Sequence, residues 1–172
     1  SLDDYIARMK EGQDAIWYVT AEGFNAARSS PQIESLKQRG VEVLLLHERI
    51  DEWMVGHLHE YAGKRLRNVA KGELDLGKLA DSADKAKQEA DAAAAAPIVA
   101  RMKELLGERV RDVRASQRLT DSASCLVCEE HDMGPQMARL LKQAGHDVPA
   151  SKPILEINPS HPLVKRLESE AD

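Results

Sequence analysis

Aromatic residues are scarce in this chain, and they stop early. Tyr5, Trp17, Tyr18, Phe24, Trp53 and Tyr61 are all of them, and the remainder of the 172 residues relies on Leu, Val, Ile, Met and Ala. One core rarely changes chemistry so abruptly, so a domain boundary is expected soon after Tyr61. Cysteine is equally thin: Cys125 and Cys128 alone cannot make a disulfide framework, which leaves a reducing cytoplasm as the default setting. No apolar run approaches the roughly 20 residues of a bilayer span, and no basic leader with an apolar stretch opens the chain, so neither membrane nor export is expected. A net charge of −5 with 31% charged residues gives no basic patch for nucleic acid. The chain begins without methionine, directly at Ser1-Leu2-Asp3-Asp4, a helix cap with an acid at N3, and so is expected to be a piece of a longer protein.

Phosphate-binding signatures are missing too. Neither GxGxxG nor GxxxxGK[ST] follows a candidate strand, and the turn after Val19 is Thr20-Ala21-Glu22-Gly23, with an acid where a phosphate would sit. His57-x-His59-Glu60 lacks the zincin spacing, and on a helix the two imidazoles would stand about 200° apart. Cys125-x-x-Cys128 followed by His131 suggests zinc or redox chemistry, but on a strand residues three apart point to opposite faces. Glu129, Glu130 and Asp132 would in addition hold the thiols protonated, so ordinary buried cysteines are expected.

What is present is a regular alternation. Ala15 to Thr20 is β-branched and aromatic and reads as a strand. It stands between a helix carrying Leu2, Tyr5, Ile6 and Met9, ended by Gly12, and a short helix from Gly23 to Ser30. Ser30 and Pro31 start the next helix, which Gly40 ends. Val41 to Leu46 follows as a short apolar strand, expected to be covered on both faces. In the succeeding helix Ile50, Met54, Leu58 and Tyr61 share an inward stripe, with Trp53 at its edge, roughly 60° from Ile50. Leu66 to Val69 is expected to add a short edge strand, and Lys71-Gly72-Glu73 to act as a hinge.

From Leu76 to Leu106 the pattern predicts a long helix, or two in line, that is alanine-rich and lightly packed from Lys85 to Ala96. Pro97 should restart or kink it. Ile98, Met102, Leu105 and Leu106 make a buried stripe before Gly107. Val110 to Val113 and Ala123 to Cys128 read as strands joined by a polar turn, followed by a helix from Pro135 to Gln143, a strand at Ile154 to Ile157 and a last helix from His161. The expected fold class is α/β plus α+β. A three-layer α-β-α unit with parallel strands (residues 1–72) leads through a helical arm into a small α+β domain with a three-stranded sheet (residues 73–172).

Four blocks of sequence carry a resemblance. They are Ser1-Leu2-Asp3-Asp4-Tyr5 with Met9-Lys10-Glu11-Gly12-Gln13; Gly40-Val41-Glu42-Val43-Leu44-Leu45-Leu46 with Arg49-Ile50-Asp51-Glu52-Trp53-Met54; Leu105-Leu106-Gly107-Glu108-Arg109-Val110; and Leu155-Glu156-Ile157-Asn158-Pro159 with His161-Pro162. In this order they resemble the heat-shock protein 90 chaperones, in the bacterial form, from the end of the middle domain through most of the C-terminal domain. The resemblance implies a chaperone segment that is not itself an enzyme. ATP and magnesium would belong to domains outside it, so no cofactor is expected here. The implied partners are client proteins, the rest of the same chain, and a second copy joined through later C-terminal helices. Without those helices a monomer or weak dimer is expected.

The resemblance also implies a client-contact surface. Glu52 and Trp53 match the middle-domain helix of the family, with Gly56 a departure from it. Met133, Met137, Leu140 and Leu141 match an amphipathic helix of the C-terminal domain. By spacing alone, the second stripe suits either a core or an exposed face; its flexible thioethers suit adaptable contacts. Glu52, Glu129 and Glu130 are expected around the rim, favouring basic client segments. Two other readings stay open at this point: an α/β enzyme domain without a recognisable motif, and a purely structural spacer.

Overall fold

A computed structural model describes residues 1–170, as two sheets joined at a seam. In chain order the elements are α1 (Leu2–Ala7), β1 (Ala15–Thr20), α2 (Phe24–Arg28), α3 (Glu34–Gln38), β2 (Val43–Leu46), α4 (Arg49–His57), β3 (Glu60–Tyr61) and β4 (Lys64–Asn68). There follow α5 (Ser82–Leu106), β5 (Asp112–Ala115), β6 (Ser124–Val127), α6 (Pro135–Gln143), β7 (Ile154–Ile157) and α7 (Pro162–Ser169). The mixture of helices and two small sheets is the α/β-plus-α+β class expected.

The first sheet has the order β2-β1-β4-β3. β1 runs parallel to both neighbours, with Trp17 opposite Val43 and Tyr18 opposite Asn68. Its alternation splits two faces. Ala15, Trp17 and Val19 enter a core with Ala27, Ile33, Leu36, Val41 and Val69, while Ile16 and Tyr18 are buried on the opposite side. The central strand is therefore β1. β2, expected to be covered on both faces, is half-buried along its length because it lies at the sheet's edge. β4, expected at the edge, is interior, since the two-residue strand β3 pairs antiparallel on its outer side. α1 stops at Ala7, earlier than Gly12.

Gly40 ends α3 as anticipated. It takes φ +65°, and the N–H of Val41 reaches the Leu36 carbonyl at 2.9 Å while that of Gly40 reaches Lys37 at 3.0 Å. This is a Schellman closure, with Leu36 and Val41 meeting in the core behind it. Gly145 (φ +83°) repeats it after α6, where His146 N–H reaches the Leu141 carbonyl at 3.0 Å.

The second sheet has the order β5-β7-β6, parallel then antiparallel. The strands expected as neighbours, β5 and β6, are separated by β7. One face packs Val113 and Ile157 against Ala95 and Ile98 of α5 and Val164 of α7. Ile154 and Glu156 turn to the other face, beside Cys125 and Val127. α5 runs unbroken through Pro97. A mid-helix proline costs a hydrogen bond, but Ala95 and Ile98, buried on either side of it, hold the helix to the sheet. Earlier in α5 the alanine-rich turns are mostly exposed, as expected of an arm. Leu105, expected inward, is 74% exposed, because Met102 and Leu106 already fill that side. No helix among the described residues is long and apolar enough to cross a membrane.

Candidate functional site

α4 begins with a side-chain clasp. Asp51 Oδ2 accepts from the backbone N–H groups of His47 at 3.0 Å and Glu48 at 2.9 Å, which satisfies donors that a helix start leaves free. The helix is then inside out relative to its expected orientation. Ile50, Trp53 and Met54 are 68%, 50% and 37% exposed, whereas Glu52 is only 8% exposed. Periodicity placed these apolar residues on one stripe but could not say which way the stripe faces. Leu58 ends the helix and Tyr61 belongs to β3, so neither extends the stripe.

Glu52 thus does not stand on the rim. Its carboxylate lies near the buried Tyr18, whose hydroxyl pKa is raised by burial and then by Glu52, with a hydrogen bond to Asn68 acting the other way. Glu52 Oε1 has no hydrogen-bond partner among the described residues. A buried acceptor without a donor costs stability. An acid turned in while a tryptophan is turned out is a local choice against stability, and such choices concentrate at functional sites.

α6 lies against α4. Arg49 Nη2 donates to Gln143 Oε1 at 3.4 Å, and Arg139 pairs with Glu22 in the turn after β1. Pro135, Ala138, Arg139 and Lys142 of α6 face a cleft of about 980 Å³ that also has Val19, Leu126 and Met133 in its wall. Met137, Leu140 and Leu141 are half-buried and do not line that cleft, nor does Trp53. The structure therefore puts Trp53 and the α6 residues on adjoining helices. Met133, 40% exposed, is the one that also borders the cleft.

Sequence reading passed over Phe24. It is 49% exposed at the start of α2 and meets His47 edge-on, with ring centroids 5.9 Å apart. The available signal was its isolation, since Ala27 and Arg28 give it no large apolar partner a turn later.

The cysteines sit at the seam. Cys125 is buried, its thiol pushed up to about 12 by burial first and then by the Glu156 carboxylate. Burial also raises Cys128, with Lys71 pulling the other way and Asp132 adding to the rise. Desolvation, more than the run of acids after Cys128, keeps the thiols protonated. At pH 8, iodoacetamide should modify Cys125 in the folded protein roughly a thousandfold more slowly than in urea, from the thiolate fraction alone. Mass spectrometry of timed samples would read this, and comparable rates in both states would overturn it.

Known proteins are similar in sequence to this chain over its whole length. The family model described as Hsp90 protein matches residues 1–172. Proteins named Chaperone protein HtpG are similar: that of Aromatoleum aromaticum is 59% identical over 170 residues, 99% of this chain and 26% of the relative. That of Nitrosomonas eutropha is 57% identical over 170 residues, 99% of this chain and 27% of the relative. That of Shewanella amazonensis is 54% identical over 172 residues, 100% of this chain and 27% of the relative. The chain spans about a quarter of the length of these relatives. With both sheets, the seam and the paired helices α4 and α6 inside one continuous match, the chain belongs to the heat-shock protein 90 family.

Proposed function

We propose that this chain is the part of an Hsp90-type chaperone that contacts client proteins and links the chaperone's ATP-hydrolysing domains to its dimerising end. The observation that carries the reading is the reversal of α4: Ile50, Trp53 and Met54 point to solvent while Glu52 points in. A single exposed apolar residue is ordinary, but an exposed stripe on a helix that adjoins a second amphipathic helix marks a contact surface. Tryptophan supplies a large contact area with few torsions to freeze, and the thioethers of Met54 and Met133 adapt to unlike partners. Met137, Leu140 and Leu141 act in this reading as the supporting part of the same surface, while the buried Glu52 lies behind it. The names of the similar proteins support the chaperone assignment. Nucleotide and magnesium chemistry belongs to other domains of the parent chain, as does its pairing into a homodimer, and this segment catalyses nothing.

Trp53→Ala tests the reading. It should weaken binding of an unfolded client by about 1–2 kcal/mol, measured by fluorescence anisotropy, and leave the urea midpoint nearly unchanged because the ring is half in water. If client affinity stays the same and stability falls by about 3–5 kcal/mol, as for a core aromatic, Trp53 is structural and the surface is misassigned.

A further inference from the structure

The cleft beside α6 carries charge of one sign. Its volume of about 980 Å³ stands at the upper end of the range of about 300–1,000 Å³ usual for ligand pockets. Most of its wall is apolar, with Leu126, Met133, Pro135, Ala138, Val148 and Pro149 among the lining residues. The charged side chains that line it, among the described residues, are Lys71, Arg139 and Lys142; no carboxylate does, in a chain of net charge −5. Arg139 and Lys142 stand a turn apart on α6, both exposed, and so share its cleft face. The acids expected around the contact surface supply no counter-charge here. Glu52 is buried, and neither Glu129 nor Glu130 lines the cleft.

The three cations are not equally free. Lys71 Nζ donates to the main-chain carbonyl of Asp132 at 2.6 Å, while the Asp132 carboxylate turns to Arg111 and Ser151. The Lys71 charge is therefore hydrogen-bonded but not neutralised. Arg139 pairs with Glu22 at the mouth. The Lys142 ammonium has no hydrogen-bond or ion-pair partner among the described residues. An apolar segment filling the cleft would strip water from these groups, which costs free energy unless a carboxylate arrives with it. A basic segment would add like charge between apolar walls that focus the field. An acidic one supplies what is missing. Arg139 and Lys142 belong to the second half of the chain, as do the six apolar residues named, so the preference travels with that half.

We infer that the cleft beside α6 takes extended client segments whose apolar side chains are flanked by carboxylates, with Lys142 the first cation to meet the acid and Lys71 and Arg139 in support. The inference rests on the client-contact reading above and names the chemistry of the segment bound. Met133 belongs to the contact surface and also borders the cleft, so a segment held there runs on between the apolar walls. Charge of this kind selects among segments and speeds their encounter more than it adds affinity.

The test compares three short peptides on this chain. Each is an extended run of leucine, valine and serine with an uncharged fluorophore, and they differ only in carrying a pair of glutamates, glutamines or lysines. Anisotropy should rank them in that order. The glutamate peptide should bind about three- to fivefold more tightly than the glutamine one at low salt, the effect of a partly exposed ion pair, with the gap closing as salt rises. Lys142→Glu should abolish this preference and favour the lysine peptide, with Lys142→Gln in between. The side chain is exposed, so the urea midpoint of both variants should stay where it is. Equal affinities for the three peptides, or a ranking that survives Lys142→Glu, would overturn the proposal. So would saturable binding of decanoate without binding of any peptide, which gives the cleft to a small amphiphile. A dimer in sedimentation that Lys142→Glu dissolves would give it to a second copy and overturn it as well. Trp53→Ala separates the two readings, since it should weaken all three peptides alike and keep their ranking. If it changes nothing while the ranking stands, the reading of α4 fails and the preference for acid holds. If it weakens binding and the ranking is flat, the preference fails and the contact surface holds.

Discussion

Arg118→Ala should destabilise the folded chain by about 2–4 kcal/mol, since it strips donors from buried main-chain acceptors at about 1–3 kcal/mol for each group left unsatisfied. Arg118 is 1% exposed and Glu156 is 2% exposed, so neither charge has water to fall back on. Glu156 would not be left bare. Arg114 Nε still donates to its Oε2 at 2.9 Å, and the Ser116 hydroxyl to its Oε1 at 2.8 Å. The uncompensated groups are main-chain: the Val69 carbonyl loses the donor that Arg118 gives it, and the Gly72 carbonyl keeps only Arg114. Arg118→Lys should recover only part of the loss, because one ammonium cannot span two carbonyls and a carboxylate as the planar fork does. Urea titration would read both variants as lower midpoints. A loss below about 1 kcal/mol for Arg118→Ala would mean that the pair behaves as a solvated surface bridge, and the seam would then be held by its other contacts, among them the Glu34 carboxylate on the Thr120 to Ser122 loop and the main-chain bonds of Gly72 and Cys128.

Lys71-Gly72-Glu73 has the composition of a flexible linker, a small residue between two charged ones. Yet Lys71 donates to the Asp132 carbonyl, and Gly72 bonds to Arg114, Arg118 and Cys128, all more than forty residues away, and no local pattern announces them.

The same contrast runs through the rest of the molecule. Features set by neighbours in sequence were legible. The bounds of β1, the span of α6 from its N1 proline, and the closures at Gly40 and Gly145 all follow from local chemistry. Features set by distant partners were not. The sequence of β4 cannot tell that Glu60 and Tyr61 will cover its outer edge, nor that of β5 that β7 will lie between it and β6. In α4 the periodicity separated two faces correctly, but which face turns inward depends on what the sheet offers, here Tyr18 beside Glu52. Of the candidate contact residues, Trp53 and Met133 are the ones at least 40% exposed, while Met137, Leu140 and Leu141 are half-buried. Spacing could group those residues on a face, but their degree of exposure depends on packing between helices.

Tyr5→Ala is the second substitution expected to have a large effect, about 3–5 kcal/mol of stability. The sequence shows Tyr5 as one apolar position on a short helix. The structure makes it the polar joint between that helix and the first sheet. The ring is 1% exposed. Its hydroxyl donates to the Glu42 carbonyl at 2.6 Å and accepts from Gln13 Nε2 at 3.0 Å and from the Trp17 backbone N–H at 3.1 Å. Burial raises the hydroxyl pKa, so the proton it donates stays in place at neutral pH and above. Tyr5→Phe separates the two contributions: the ring remains, and the unpaired groups around the missing oxygen should cost about 1–3 kcal/mol. Gln13 still donates to the Ala15 carbonyl at 2.8 Å, so the Trp17 N–H and the Glu42 carbonyl carry most of that cost. Glu42 leads into β2, and β2 leads into α4, so a shift at Glu42 should also reach the base of the proposed client-contact helix. Tyr5→Phe is therefore expected to lower the urea midpoint and to weaken client binding by less than Trp53→Ala does. A variant indistinguishable from the unmodified chain in both measurements would show that the hydroxyl is not a joint and that α1 is held by its apolar contacts.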